Sequence, residues 1–157
     1  MPSPHKPTQN HLLASLPEAD YDRISSQLEL MAMPLGEIIY ESGGRPNYVY
    51  FPTTSIVSLL YELRNGASAE IAVVGNEGIL GISVFMGGDT TPNCAVVKSS
   101  GFAYRMKSQF LKHEFDQGGS ILQLLLRYTQ ALITQMSQTA VCNRHTRLIN
   151  NCVVGYY

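Results

Sequence analysis

Nowhere does the sequence approach the roughly 18 consecutive apolar residues that a membrane-spanning helix needs. Its first ten residues, MPSPHKPTQN, also lack the apolar centre of a secretion signal. A cytoplasmic chain with no membrane partner is therefore expected. Cysteine is scarce: Cys94, Cys142 and Cys152 are odd in number and share no C-x-x-C spacing. That pattern argues against a disulfide framework, a zinc knuckle or a cysteine-ligated cluster, and leaves buried or idle thiols. The histidines His5, His11, His113 and His145 lie outside the segments that read as strands and form no H-x-H or H-x-x-E pattern. A metal site on facing strands is not expected, nor is a Cys/His nucleophile, because no spacing brings a histidine to Cys94 or Cys142. The expectation is a chain that is not an enzyme and carries no cofactor or metal. An excess of positive charge is missing too, since eleven Lys and Arg face twelve Asp and Glu for a net charge of -1. No overall field would draw such a chain to nucleic acid. Acids are absent after Asp116, so the C-terminal end leans weakly basic through Arg127, Arg144 and Arg147.

What is present suffices for one domain: 157 residues, 45% of them hydrophobic. Residues 1–10 carry three prolines and read as a flexible tail. In PEADYDRISSQLEL, Tyr21, Ile24 and Leu28 recur at helical spacing behind the acids Glu18 and Asp20, which suit a helix start. From Met31 to Met106 the texture changes to short runs rich in Val, Ile, Tyr and Thr, divided by turn signals such as SGGRPN, RNGAS and GGDTTPN. Strands are predicted over 48–51 and 56–61, with Arg64-Asn65-Gly66 turning a hairpin that returns from Ala69 to Val74. Burying these runs needs two layers, so a mainly β, jelly-roll-like β-roll with flanking helices is expected over 11–117.

KSQFLKHEFDQ predicts a short helix that Gly118-Gly119 breaks before a long one from about Ser120 to Cys142. The long helix has two apolar sides. Leu122, Leu125, Thr129, Leu132, Met136 and Thr139 alternate in steps of three and four, the spacing of a coiled-coil seam, while Ile121, Leu124, Tyr128 and Ala131 lie on a neighbouring face. A small roll cannot easily cover both. The seam therefore predicts a dimerisation helix over 118–145 and a homodimer through it.

The order of these features along residues 10 to 144 resembles the cyclic-nucleotide-binding sensor domain of the Crp/Fnr transcription regulators. The carriers are LGEIIYESGGRPNYVYFPTTSIVSLL, the loop VGNEGILG, the apolar end NCAVV, and LLLRYTQALITQMSQTAVCNRH along the helix. In that family the loop is a phosphate-binding cassette. Backbone N–H groups of a short helix meet the cyclic phosphate, a Glu in a G-E-L-G pattern accepts from the ribose, and an Arg before a Ser-Ala or Thr-Ala pair neutralises the charge. The resemblance makes Gly78, Ile79, Leu80 and Gly81 the cassette and Asn93, Cys94 and Ala95 its partner segment, with Met136 and Ser137 near the ligand base. Ile79 then stands where the acid would be and Asn93 where the arginine would be. The lost arginine alone would have contributed a charge-assisted bond of about 1.5 to 3 kcal/mol. Glu77, two positions from the lost acid, is a candidate substitute. Cyclic AMP and cyclic GMP are not expected to bind; the pocket takes an unidentified, less polar effector or is a structural relic. An iron–sulfur sensor of the same superfamily would need cysteines near the N-terminus, and His113 with Cys94 gives no case for haem.

The family continues past an N-R-H-like segment into a helix-turn-helix domain, whereas this sequence ends as TRLINNCVVGYY. Residues 146–157 are expected to be an atypical tail, with DNA contact only through a helix-turn-helix domain absent from this chain. The functional expectation is a regulatory sensor module with a degenerate cassette. The alternative is a protein-interaction or dimerisation module with no small-molecule effector.

Overall fold

The structure, a computed structural model, describes residues 5–84 and 93–149, with side chains described as far as Thr139. The side chains of Cys142, Arg144, His145 and Arg147, and all of the tail from 150 including Cys152, lie outside the described residues.

Alternation along the β segments sets the architecture. Residues of one parity turn inward, as Val49 and Phe51, Val57 and Leu59, Ala72 and Val74, and Ala95 and Val97 do, while their neighbours are more exposed. The strands β1 (Glu29–Met33), β2 (Ile38–Tyr40), β3 (Tyr48–Pro52), β4 (Ile56–Glu62), β5 (Ser68–Val74), β6 (Cys94–Ser99) and β7 (Gly101–Lys107) make two antiparallel sheets. Their orders are β1-β7-β3 and β2-β6-β4-β5. This is the mainly β, two-layer arrangement with flanking helices that the turn spacing predicts. The β4–β5 hairpin turns at the predicted residues, with the Leu63 N–H donating to the Ala67 carbonyl at 2.7 Å and the Ala67 N–H to Asn65 Oδ1 at 3.0 Å.

Four helices flank the sheets: α1 (His11–Ala14), α2 (Glu18–Ser25), α3 (Ser108–Gln117) and α4 (Ser120–Ile149). The second ends earlier than its periodicity suggests, and Leu28 packs on the core from beyond it. Gly118 and Gly119 separate the last two, at φ of +79° and +85°, a backbone region that side chains other than glycine's rarely enter. Helix α4 runs past the predicted end near Cys142 to Ile149, so residues 146–149 continue it.

Two apolar clusters result. One joins Leu12, Leu13, Ile24, Phe51, Leu111 and Leu125 where the helices cover β3 and β7. The other lies between the sheets around Val57, Leu59, Val74, Ala95, Val97 and Leu132. Helix α4 therefore crosses both, supplying Ile121 and Leu125 to the first and Leu132 to the second.

The seam expected to meet a second copy is corrected here. Leu125, Thr129 and Leu132 are each 3% exposed and Thr139 is buried, so these four face the chain's own interior. Leu122 and Met136 are half-buried. The apolar side chains that α4 leaves exposed are Leu126 and Ile133, at 45% and 47%, one heptad apart. A core-facing stripe and a coiled-coil seam share steps of three and four, and spacing alone does not distinguish them.

The expected tail over 1–10 is also shorter than its composition suggests. The His5 ring lies 4.2 Å from that of Phe102, Pro7–Gln9 form a 3-10 turn, and Asn10 is fully buried.

Candidate functional site

The loop after β5 is held from both sides. From the N-terminal side, Asn10 caps α1: its Oδ1 accepts from the N–H groups of Leu12 at 3.0 Å and Leu13 at 3.3 Å. Its Nδ2 donates to the carbonyls of Pro52 at 2.8 Å and Gly78 at 2.9 Å. The His11 N–H adds a bond to the Asn76 carbonyl at 2.6 Å. All four capacities of one buried amide are thus used to tie the loop to α1 and β3.

From the other side comes Tyr128 on α4. Its phenolic oxygen accepts the Ile79 backbone N–H, and its ring packs against Gly78 so closely that a Cβ there would lie 2.3 Å from that oxygen. Only glycine leaves room. Burial, with the nearby Glu77 carboxylate adding to it, pushes the Tyr128 phenol well above its ordinary pKa, so it stays neutral.

The predicted cassette residues Gly78, Ile79, Leu80 and Gly81 are all buried, Ile79 and Leu80 to 1% exposure. Ile79 belongs to the first apolar cluster and Leu80 to the second. Leu80 also pairs with Tyr50 of β3, its N–H donating at 2.8 Å and its carbonyl accepting at 3.2 Å. Gly81, at φ +98°, leads into a 3-10 turn over Ile82–Val84. The side chain at the position of the family's acid is therefore a core residue. Glu77 does not replace it: its carboxylate is exposed and accepts from the Gly75 N–H at 3.1 Å, turned back on its own loop.

Asn93, at the start of the partner segment, is buried, and Ala95 is a core residue opposite Leu59 of β4. Cys94 is half-buried and its thiol pKa is raised by burial first, then by Glu41 and Glu62, which leaves it an unreactive thiol. Met136 packs against the second cluster and Ser137 is exposed. The structure thus brings Leu80, Ala95 and Met136 to one cluster, places Ile79 in the other, and leaves Ser137 apart. Around the second cluster the partly buried side chains include Tyr40, Tyr50, Ile71, Ile82, Tyr128 and Met136. None of these six is charged at neutral pH, so this surface suits apolar or aromatic matter better than a phosphate.

Sequence reasoning missed Asn10 and the role of Tyr128. The tyrosine could have been singled out as the one bulky polar-tipped aromatic on the inner face of a helix expected to lie over the loop; nothing local marks the asparagine. Among the described residues there is no group of three or more His, Cys, Asp and Glu placed to hold a metal ion, and no helix long and apolar enough to cross a membrane.

No protein-family model matches the chain, and no curated protein matches it. Solved structures do. A cyclic nucleotide-binding domain from Methylobacillus flagellatus superposes with a TM-score of 0.63 at 15% identity, over 89% of this chain and 79% of that one. A cyclic di-GMP-responsive global regulator of virulence gene expression from Xanthomonas campestris gives 0.67 at 14%, over 86% and 72%. The regulatory subunit of a cAMP-independent protein kinase A from Trypanosoma brucei gives 0.67 at 14%, over 79% of this chain and 44% of that one. The chain thus spans under half of the kinase regulatory subunit. The fold is that of a cyclic nucleotide-binding domain: a β-roll with flanking helices and a C-terminal helix. It is shared with regulators of the Crp/Fnr type and with kinase regulatory subunits.

Proposed function

We propose that the chain is a non-catalytic regulatory sensor module of the Crp/Fnr type whose phosphate-binding cassette is degenerate. The observation that carries this reading is the Ile79 position. Where the family pattern puts a ribose-binding carboxylate, this chain has an apolar side chain sunk in the core, with its backbone N–H engaged by Tyr128. A cradle of this kind keeps the shape of the cassette without its charges, and cyclic AMP and cyclic GMP do not occupy it. An effector, where there is one, is less polar than a cyclic nucleotide and meets the tyrosines and Met136.

The module acts as a cytoplasmic homodimer through the outward face of α4, where Leu126 and Ile133 recur one heptad apart. Contact with DNA is made by a separate helix-turn-helix domain and not by residues 5–149. With a net charge of -1, the chain itself holds no more than feeble, salt-sensitive attraction for phosphates. A second reading, an interaction or dimerisation module with no small-molecule effector, is favoured by the near-complete burial of Gly78 to Gly81.

Native mass spectrometry of protein isolated from its own host tests both readings. A dimer carrying a retained small molecule supports the sensor, a bare dimer supports the interaction module, and a bare monomer contradicts both.

A further inference from the structure

We propose that the cleft between the β2–β3 loop and the start of α3 binds a small molecule carrying a pyrophosphate or two neighbouring phosphoryl groups. It measures about 620 Å³, within the range of small-molecule sites, and is walled by Arg45 to Tyr48, by Ser83 and Val84, and by Lys107 to Gln109 with Lys112. It lies apart from the six side chains of the sensor surface described above.

Three cations from two elements converge on it: Arg45 from the loop, Lys107 at the N-cap of α3, and Lys112 one turn further on. No Asp or Glu is among its described lining residues. Lys107 and Lys112 are exposed, and the partner of Lys112, Asp116, sits 3.6 Å away on the far side of the turn, too exposed to hold the ammonium tightly. Glu41 lines the adjoining smaller cleft, which shares Arg45 to Tyr48.

The backbone adds to the same charge. The first turn of α3 has no acidic residue and no side-chain cap, so the positive end of its dipole is uncompensated and faces the cleft with Lys107. The walls are held in place. Ser108 is buried, its Oγ donates to the Pro46 carbonyl at 2.8 Å, and its N–H donates to the Asn47 carbonyl at 2.9 Å. The loop is thereby fastened to the helix start, and little ordering is left for a ligand to impose. Tyr48 contributes a ring wall whose π-face already carries the Arg105 guanidinium at 4.0 Å. Arg105 in turn is neutralised by Glu29 at 2.8 Å. Cations around a concave wall, with no carboxylate to compete, select for a compact polyanion over an extended one.

The test is a calorimetric titration of the whole chain at about 150 mM salt, where exposed charges are screened beyond roughly 8 Å. The probes are sodium pyrophosphate and ADP. Saturable binding of pyrophosphate at one site per chain is expected. Lys107→Gln with Lys112→Gln should weaken it at least tenfold without unfolding the chain, since both lysines are exposed. Lys98→Gln, on the four-stranded sheet and paired with Glu70, should leave it unchanged. ADP binding tighter than pyrophosphate assigns a nucleotide as the source, and equal affinity assigns a ligand without a base. The proposal is overturned by no saturable binding of either probe, by binding that survives the double substitution, or by equal weakening in Lys98→Gln.

Discussion

The phenolic oxygen of Tyr128 accepts the backbone N–H of Ile79, which joins the long helix to the apex of the loop that a cyclic nucleotide-binding fold uses for phosphate. A buried donor without an acceptor costs about 1 to 3 kcal/mol. Tyr128→Phe keeps the ring against Gly78 and removes only the acceptor, so it should lower unfolding stability by that amount in a urea titration.

The same phenol predicts an alkaline limit. Its folded pKa is raised above the unfolded value near 10, so the unfolded chain releases this proton first as pH rises. The stability tied to the neutral phenol is fully present below about pH 10 and is lost progressively above it. Denaturation curves from pH 8 to 11 should show this fall in the natural chain and a shallower one in Tyr128→Phe.

Asn10 ties α1, β3 and the loop together through four hydrogen bonds of 2.8 to 3.3 Å. Asn10→Ala removes a helix cap, worth about 0.5 to 2 kcal/mol, and strands buried carbonyls at Pro52 and Gly78. A loss of roughly 2 to 4 kcal/mol is expected on those grounds. Hydrogen exchange should show it as earlier opening of the loop at 75–81 than of β4. A loss under about half a kcal/mol would mean that water replaces the amide at little cost.

Much of the fold was legible because its signals are local. The β4–β5 hairpin announces itself through Arg64-Asn65-Gly66 between alternating strands, and the break between α3 and α4 through Gly118-Gly119. The two faces of α4 were not resolved for a physical reason: steps of three and four mark an apolar stripe but not what covers it. Leu125 and Leu132 turned out to face the roll, and Leu126 and Ile133 to face outward. The candidate site was legible as far as the loss of two charges at Ile79 and Asn93. That Ile79 lies in the core, and that Glu77 folds back on Gly75, follow from contacts distant in sequence that no motif carries.

Those two faces separate by mutation. Leu126→Glu with Ile133→Glu should convert a dimer to a monomer in sedimentation while leaving the fold and its melting unchanged, because both side chains are exposed. Leu132→Ala should instead cost about 2 to 5 kcal/mol as a core truncation and leave the assembly state alone. Monomers from the natural chain at tens of micromolar would remove the dimer.

The central claim is that the cassette has lost its purchase on cyclic nucleotides, and calorimetric titration of the natural chain with cyclic AMP and cyclic GMP tests it most directly. Ile79→Glu with Asn93→Arg serves as the companion. In the described structure the new carboxylate would enter an apolar cluster with Leu13, Ile24 and Phe51, so this variant should lose stability and gain no affinity. The account predicts no saturable heat from the natural chain with either nucleotide up to the millimolar range. A micromolar dissociation constant for one of them would contradict it.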